Sequence, residues 1–138
     1  MISAVPTIFT KIIEGELPGR IVWSDDRVAA FLTIAPLTAG HTLVVPRAEV
    51  DEWTDLEPEL AAHLMAVSHR IGGVLKRAFD APRAGLVIAG FEVPHAHVHV
   101  FPAYEMADFD FARVNTSVPA EELDAHHKRI LGALDATP

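Results

Sequence analysis

The stretch His95-Ala96-His97-Val98-His99-Val100-Phe101 decides how this chain is read. Val98, Val100 and Phe101 favour a strand, and a strand sends residues i, i+2 and i+4 to one face. His95, His97 and His99 then form a row on one side, with Ala96, Val98 and Val100 on the other. A buried strand ordinarily fills such a row with aliphatic side chains. Three imidazoles there cost desolvation unless each has a partner or a chemical task. Histidine is also the side chain best suited to nucleophilic or acid–base work near neutral pH. Chemistry is therefore expected at this row.

Three readings of the row are open. One is a set of structural histidines with satisfied hydrogen bonds, the ordinary fate of a single buried histidine. The second is a metal site of two histidines and a carboxylate or His41. Histidines two apart on a strand have Cα atoms about 6.8 Å apart, but His95 and His99 would be about 13 Å apart, too far for one metal to take all three. The third is nucleophilic catalysis. The middle ring, His97, attacks, one neighbour orients it, and the other handles the leaving group. Imidazole attack on phosphorus gives a phosphoramidate that water can open. The attacking nitrogen must be bare, and the other ring nitrogen must donate to an acceptor.

Outward from the row, the pattern predicts an α+β fold. Ile8, Phe9, Ile12 and Ile13 make a short helical pattern, ended by Glu14-Gly15-Glu16-Leu17-Pro18-Gly19. Ile21–Ser24, Val28–Ile34, His41–Pro46, Gly85–Gly90 and Val93–Phe101 read as strands, the last ended by Pro102. Tight turns between the first three favour an antiparallel meander. Leu60, Leu64, Val67, Ile71, Leu75 and Phe79 repeat at spacings of three and four, so Glu57–Phe79 reads as a long helix. Gly72-Gly73 weakens it but permits close approach to a sheet. Asp108–Val118 is expected to be irregular, its Asp108-Phe109-Asp110-Phe111 run a loop anchored by aromatics, a flap or a dimer contact. Pro119–Leu134 reads as a terminal helix. The sum is a sheet of about five strands with one long helix packed on it and a helical extension over about 119–138, within a single domain spanning 1–138.

Composition bounds the function. The 138 residues suit one domain, and half are hydrophobic, enough for a sizeable core. A formal charge of −8, from 19 acidic residues against 11 Lys and Arg, argues against binding nucleic acid or an anionic membrane. The absence of cysteine removes disulfides and thiolate metal sites. No apolar run of membrane length and no leader pattern is found, so a cytoplasmic location is expected.

Residues 95–101 match in full the pattern His-φ-His-φ-His-φ-φ, with φ hydrophobic, and the chain thereby resembles the histidine triad (HIT) family of nucleotide hydrolases and transferases. Ile8-Phe9-Thr10-Lys11-Ile12-Ile13-Glu14-Gly15-Glu16-Leu17-Pro18 is similar to the family's N-terminal segment. Ala30-Phe31-Leu32-Thr33-Ile34-Ala35-Pro36 and Gly40-His41-Thr42-Leu43-Val44-Val45-Pro46-Arg47 are similar to its central hairpin. Order and spacing agree with the small purine nucleoside phosphoramidate hydrolases. The resemblance implies that His97 attacks the α-phosphorus and carries the nucleotidyl group. It implies that the His95 carbonyl orients the His97 ring, that His99 contacts the phosphate and assists the leaving group, and that His41 joins them. Electrostatic help is expected from a protonated His99 and backbone donors. Ile8, Phe9, Ile12, Phe31 and Ile34 would line a purine pocket; read without the resemblance, they are plain core. The substrate would be a small nucleotide conjugate and the enzyme a homodimer, with no metal and no other cofactor.

Several positions depart from the family's pattern. Thr7 and Thr10 stand where cysteines often join a zinc site. Thr33 replaces an aspartate that binds ribose hydroxyls. Gly90-Phe91-Glu92 replaces Gly-Gln-Ser or Gly-Gln-Thr, and the preceding loop is shortened to Val87-Ile88-Ala89-Gly90. Backbone N–H groups of Glu92 and Val93 remain available to a phosphate oxygen. His63, His69, His126 and His127 fall on helices and are expected to be solvated or packed, outside the chemistry. Two further classes stay open: a non-catalytic nucleotide- or partner-binding module, and a metalloenzyme.

Overall fold

The computed structural model describes residues 5–136. The ends of the expected domain span, 1–4 and 137–138, lie outside the described residues. A short helix α1 (Ile8–Ile13) precedes strands β1 (Ile21–Ser24), β2 (Val28–Leu32) and β3 (Thr42–Pro46). The long helix α2 (Pro58–Ala78) follows, then β4 (Arg83–Val87), β5 (Val98–Ala103) and the terminal helix α3 (Ala120–Asp135). The strands form one sheet in the order β1-β2-β3-β5-β4, with every neighbouring pair antiparallel. The α+β class and the five-stranded antiparallel sheet are as the sequence pattern predicts. No described helix is long and apolar enough to cross a membrane.

Strand alternation separates the two faces of the sheet. Val28, Ala30, Leu32, Val44, Val98 and Val100 face α2 and pack on Leu64, Val67, Ile71, Val74 and Leu75. Phe31, Leu43 and Val45 face the other way and pack on Phe9 of α1. His99 is paired with Leu43 across the β3–β5 ladder, so it points to this second face, away from α2. The catalytic candidates thus occupy the side that the long helix leaves open.

Gly72 is where α2 closes on the sheet. A Cβ there would meet the Ala84 Cβ at 3.4 Å and Val100 Cγ1 at 3.7 Å. The helix runs unbroken through Gly72-Gly73. α3 is more than an appendage, because Leu123 is buried and Ile130 sits in the core cluster under α2.

Three strands differ from the sequence expectation by two residues or more at an end. The last strand starts at Val98 rather than Val93 and runs through Pro102 to Ala103. β3 pairs with β5 only from Val98 to Val100, so at Pro102 the strand borders β4 alone and the missing N–H costs no ladder bond to β3. Before Val98, Pro94 and the use of the His95 carbonyl by a side chain take the backbone out of the ladder. β4 spans Arg83–Val87 rather than Gly85–Gly90: its pairing with β5 ends at Val87 opposite His99, and Gly90 takes a positive φ of 78°. β2 stops at Leu32, leaving Ile34 exposed. The segment after β5 contains short 3-10 turns at Met106–Phe109 and Phe111–Arg113.

Candidate active site

Because β5 begins at Val98, the three histidines do not form a regular strand row. Only His99 lies in the strand, and His95 and His97 occupy the bend that leads into it. The rings still gather. His97 and His99 lie 4.9 Å apart, centroid to centroid, and His41 lies 5.2 Å from His99. His41 enters from the residue preceding β3. Gly40, with φ +92°, makes the turn that places it, and a Cβ at Gly40 would run into the Phe79 ring.

The hydrogen-bond partners dictate a tautomer for each ring. His95 Nε2 is 2.7 Å from the Pro46 carbonyl, which can only accept, so Nε2 carries the proton and Nδ1 accepts from the Thr7 hydroxyl at 2.6 Å. His97 Nδ1 donates to the His95 carbonyl at 2.8 Å, which leaves Nε2 bare. His41 Nδ1 accepts the Leu37 N–H at 2.9 Å, so its proton sits on Nε2 and is donated to His99 Nδ1 at 3.0 Å. His99 then carries its own proton on Nε2. A bare nitrogen on His97 stands beside an N–H donor on His99, which is the pairing that attack on phosphorus needs.

Burial favours the neutral form of His41, His99 and His95. It lowers the pKa of His41 to about 3, with added repulsion from His99 and His97. Burial, and then His97, lower that of His99 to about 4. His95 is also lowered by burial, against the opposing pull of its Pro46 hydrogen bond and the Glu49 charge. The sequence expectation of a protonated His99 is therefore corrected. Its Nδ1 is already occupied as an acceptor and the ring is neutral at neutral pH, so it acts as a neutral donor. His95, His41 and His97 are 0 %, 2 % and 5 % exposed, and His99 is the most open ring of the cluster.

Beside the cluster lies a cavity of about 450 Å³ lined by Ile8, Phe9, Ile12, Leu17, Pro18, Phe31, Thr33, Ile34 and Leu43, among others. Phe9 is the shared wall. Its ring packs edge-on against His97 at 4.9 Å and lies 5.7 Å from His95 and from Phe31. Six of the residues named from the sequence, Ile8, Phe9, Ile12, Phe31, Thr33 and Ile34, thus meet at one cavity. Val93 packs against the Phe9–Phe31–Leu43–Val45 cluster instead of lining it. Phe91 (95 % exposed) and Glu92 lie at the surface and do not reach the cavity. The bend after Gly90 turns outward there, and no ladder holds these side chains in.

Some site residues escaped the sequence reading. Thr7 is both the cap of α1, accepting the Thr10 N–H, and the donor to His95. Its Ser/Thr cap position was the available signal. Phe111 packs on His99 at 4.7 Å and on His41 at 6.4 Å, so the aromatic-anchored loop has its anchor on the histidines. Arg20, at the cavity mouth, is held by Asp124 of α3 at 2.8 Å. The other histidines stay apart from the cluster, as expected. His63 pairs with Asp25 at 2.7 Å, and His127 donates to the Ile21 carbonyl. Burial alone would raise the Asp25 pKa, but hydrogen bonds from Trp23, the Arg27 N–H and His63 outweigh it and hold the carboxyl well below its ordinary range.

Among the described residues no three His, Asp or Glu side chains are arranged to hold a metal. Within the cluster the reason is visible: both nitrogens of His41 and of His95 are already engaged.

Known proteins share this chain's sequence pattern and fold. The model of the HIT domain matches residues 14–106. An uncharacterised HIT-like protein of Borreliella burgdorferi is 39 % identical over 115 residues, which are 78 % of this chain and 83 % of that protein. A bis(5'-nucleosyl)-tetraphosphatase of Schizosaccharomyces pombe is 35 % identical over 86 residues, 59 % of this chain and 47 % of that one. The crystal structure of a hypothetical histidine triad nucleotide-binding protein from Sulfolobus tokodaii superposes with a TM-score of 0.82 at 27 % identity, covering 93 % of this chain and 91 % of that one. The α3 helix lies beyond the matched HIT region. This chain belongs to the HIT domain family.

Proposed function

We propose that the chain is a nucleotide hydrolase that cleaves a P–N or P–O bond at the α-phosphorus of a purine nucleotide conjugate. The observation that carries this reading is the tautomer of His97. Its Nδ1 is tied to the His95 carbonyl, so the one free lone pair is on Nε2, next to the His99 donor. The purine would occupy the cavity behind Phe9, a mostly apolar space suited to a flat ring.

His97 Nε2 forms a bond to phosphorus as the bond to the leaving nitrogen or oxygen breaks. The His99 Nε2–H donates a hydrogen bond at the phosphate or the departing atom, where charge develops. A departing amine takes up one proton from solvent. The ring of the nucleotidyl-His97 left behind is cationic, its Nδ1–H still donating to the His95 carbonyl. Water opens it to the nucleoside monophosphate and returns one proton to solvent. No metal takes part in forming the nucleophile.

A second reading, nucleotide binding without turnover, draws support from Phe91 and Glu92, which bring no donor to the cavity. The two readings part in one experiment: brief reaction with a fluorogenic adenosine phosphoramidate, a rapid acid-free quench, and intact-protein mass spectrometry. An added adenylyl group in the wild type and none in His97→Ala supports hydrolysis. Unchanged turnover in His97→Ala removes the mechanism, and nucleotide binding without an adduct or product favours the second reading. We place the enzyme in the cytoplasm as a homodimer. The exposed Met65 and Leu86, lining one apolar cavity between α2 and the free edge of β4, support a second copy there.

A further inference from the structure

The cavity wall and the histidine cluster are joined by a set of hydrogen bonds that the chemistry above does not use. Thr7 accepts the Thr10 N–H and so caps α1, the helix that carries Phe9. The same hydroxyl donates to His95 Nδ1 at 2.6 Å. The Thr7 backbone N–H donates to Glu49 Oε1 at 2.8 Å, and Glu49 lies just beyond the end of β3. The Thr10 side chain also hydrogen-bonds this carboxylate, and the two contacts lower its pKa, so it stays ionised. His95 in turn reaches the Pro46 carbonyl with Nε2, while its own carbonyl holds His97. One clasp therefore ties α1, the exit of β3 and the bend before β5 to a single ring.

We propose that Thr7 and Glu49 are positioning residues for the attacking histidine. Thr7 fills the Nδ1 acceptor of His95 and so fixes that ring, and with it the carbonyl that orients His97. Glu49 holds Thr7 in place through its N–H. Neither residue touches the substrate or the reacting atoms. α1 is six residues long, too short to hold its place by helix formation alone, so its position relative to His97 comes from these bonds and from the packing of Phe9. The inference rests on the nucleophilic reading of His97.

The test uses Thr7→Val, Thr7→Ser and Glu49→Ala in the full chain, with steady-state kinetics on the fluorogenic phosphoramidate and imidazole ¹⁵N spectra of the unliganded protein. Thr7→Val keeps the shape but removes both the α1 cap and the donor to His95, and with the His95 acceptor unpaired kcat falls about tenfold. KM stays within about twofold, because the packing of Phe9, Ile12 and Ile13 keeps α1 against the sheet without its cap. Thr7→Ser restores the hydroxyl and most of kcat, and Glu49→Ala lowers kcat in the same direction. The wild-type His95 spectrum shows a protonated Nε2 and a hydrogen-bonded, bare Nδ1. Its Nδ1 signal shifts in Thr7→Val and returns in Thr7→Ser. An unchanged kcat in Thr7→Val overturns the proposal, as does a serine variant no better than valine. If Thr7→Val does not fold, Glu49→Ala and Thr7→Ser decide: the proposal falls if Glu49→Ala keeps wild-type kcat. If the wild type turns over no substrate, the hydrolase reading fails, and the ¹⁵N spectra still report whether the clasp sets the His95 tautomer.

Discussion

His41 Nε2 lies 3.0 Å from His99 Nδ1, and the proton between them belongs to His41, because the Leu37 N–H occupies the other His41 nitrogen. A fourth histidine, 58 positions earlier in the chain, thus decides which nitrogen of His99 can donate. Replacing His41 by alanine frees His99 Nδ1 and allows the ring either tautomer. Loss of a correctly presented donor is worth on the order of a hundredfold in kcat. Imidazole ¹⁵N spectra should show His99 with a single tautomer in the wild type and a mixture in His41→Ala. A single tautomer in both would show that His41 does not control it.

Phe9 belongs to the cavity and to the cluster at once. Its removal in Phe9→Ala takes a buried ring from between Phe31, His95 and His97. Stability should fall by about 3 kcal/mol, the low end for a buried phenylalanine. KM for a purine substrate should rise, because the shared wall is gone. Urea unfolding and steady-state kinetics on the same preparation check both, and a stable variant with unchanged KM would place the nucleotide elsewhere.

Stability should depend on pH through the buried histidines. His41 and His99 have folded-state pKa values of about 3 and about 4, against 6.5 for the free side chain. The unfolded chain therefore binds more protons throughout the interval between these values. Their contribution to stability is complete above pH 6.5 and is lost progressively as the pH falls toward 4 and then 3. Asp25, held low by its hydrogen bonds, adds a second loss only once the pH drops below its unfolded value near 3.8. Urea midpoints measured from pH 8 to pH 4 should fall below about pH 6.5. The slope in this range should be reduced in the double variant His41→Phe with His99→Phe, provided it folds. A flat profile in the wild type would mean that these rings are not buried neutral.

Two glycines should respond with opposite signs to the same substitution. Gly73 sits mid-helix, and its added Cβ would meet only the Arg77 side chain, at 3.6 Å. Gly73→Ala should stabilise by up to about 1 kcal/mol through helix propensity. Gly40 has φ +92° and the Phe79 ring where a Cβ would go. Gly40→Ala should destabilise by more than about 1 kcal/mol and displace His41, lowering kcat as well. Thermal and urea unfolding of the two variants settle the signs.

Much of this was legible from residue order. Alternation in β2, β3 and β5 sorts side chains between α2 and the open face, and periodicity places α2 to within a residue at each end. The cavity residues were readable from the same short motifs. A period-2 row of histidines is not by itself a strand: His95 and His97 gather with His99 through a bend, because the His95 carbonyl binds a ring and not a neighbouring strand. Phe91 and Glu92 were named from motif position alone, and a loop fixes no face.

The sequence by itself determined the fold class and the identity of the nucleophile candidate, since both follow from local spacing and side-chain chemistry; the cavity lining was named only through the family resemblance. Only the tertiary structure decided the protonation pattern. Which nitrogen of each imidazole is bare depends on the Pro46 carbonyl, the Leu37 N–H, the Thr7 hydroxyl and the His95 carbonyl. Pro46 and Thr7 lie 49 and 88 positions from His95, and His41 lies 58 positions from His99. A tautomer is set by partners in space, and no pattern within the triad records which partners the fold will bring.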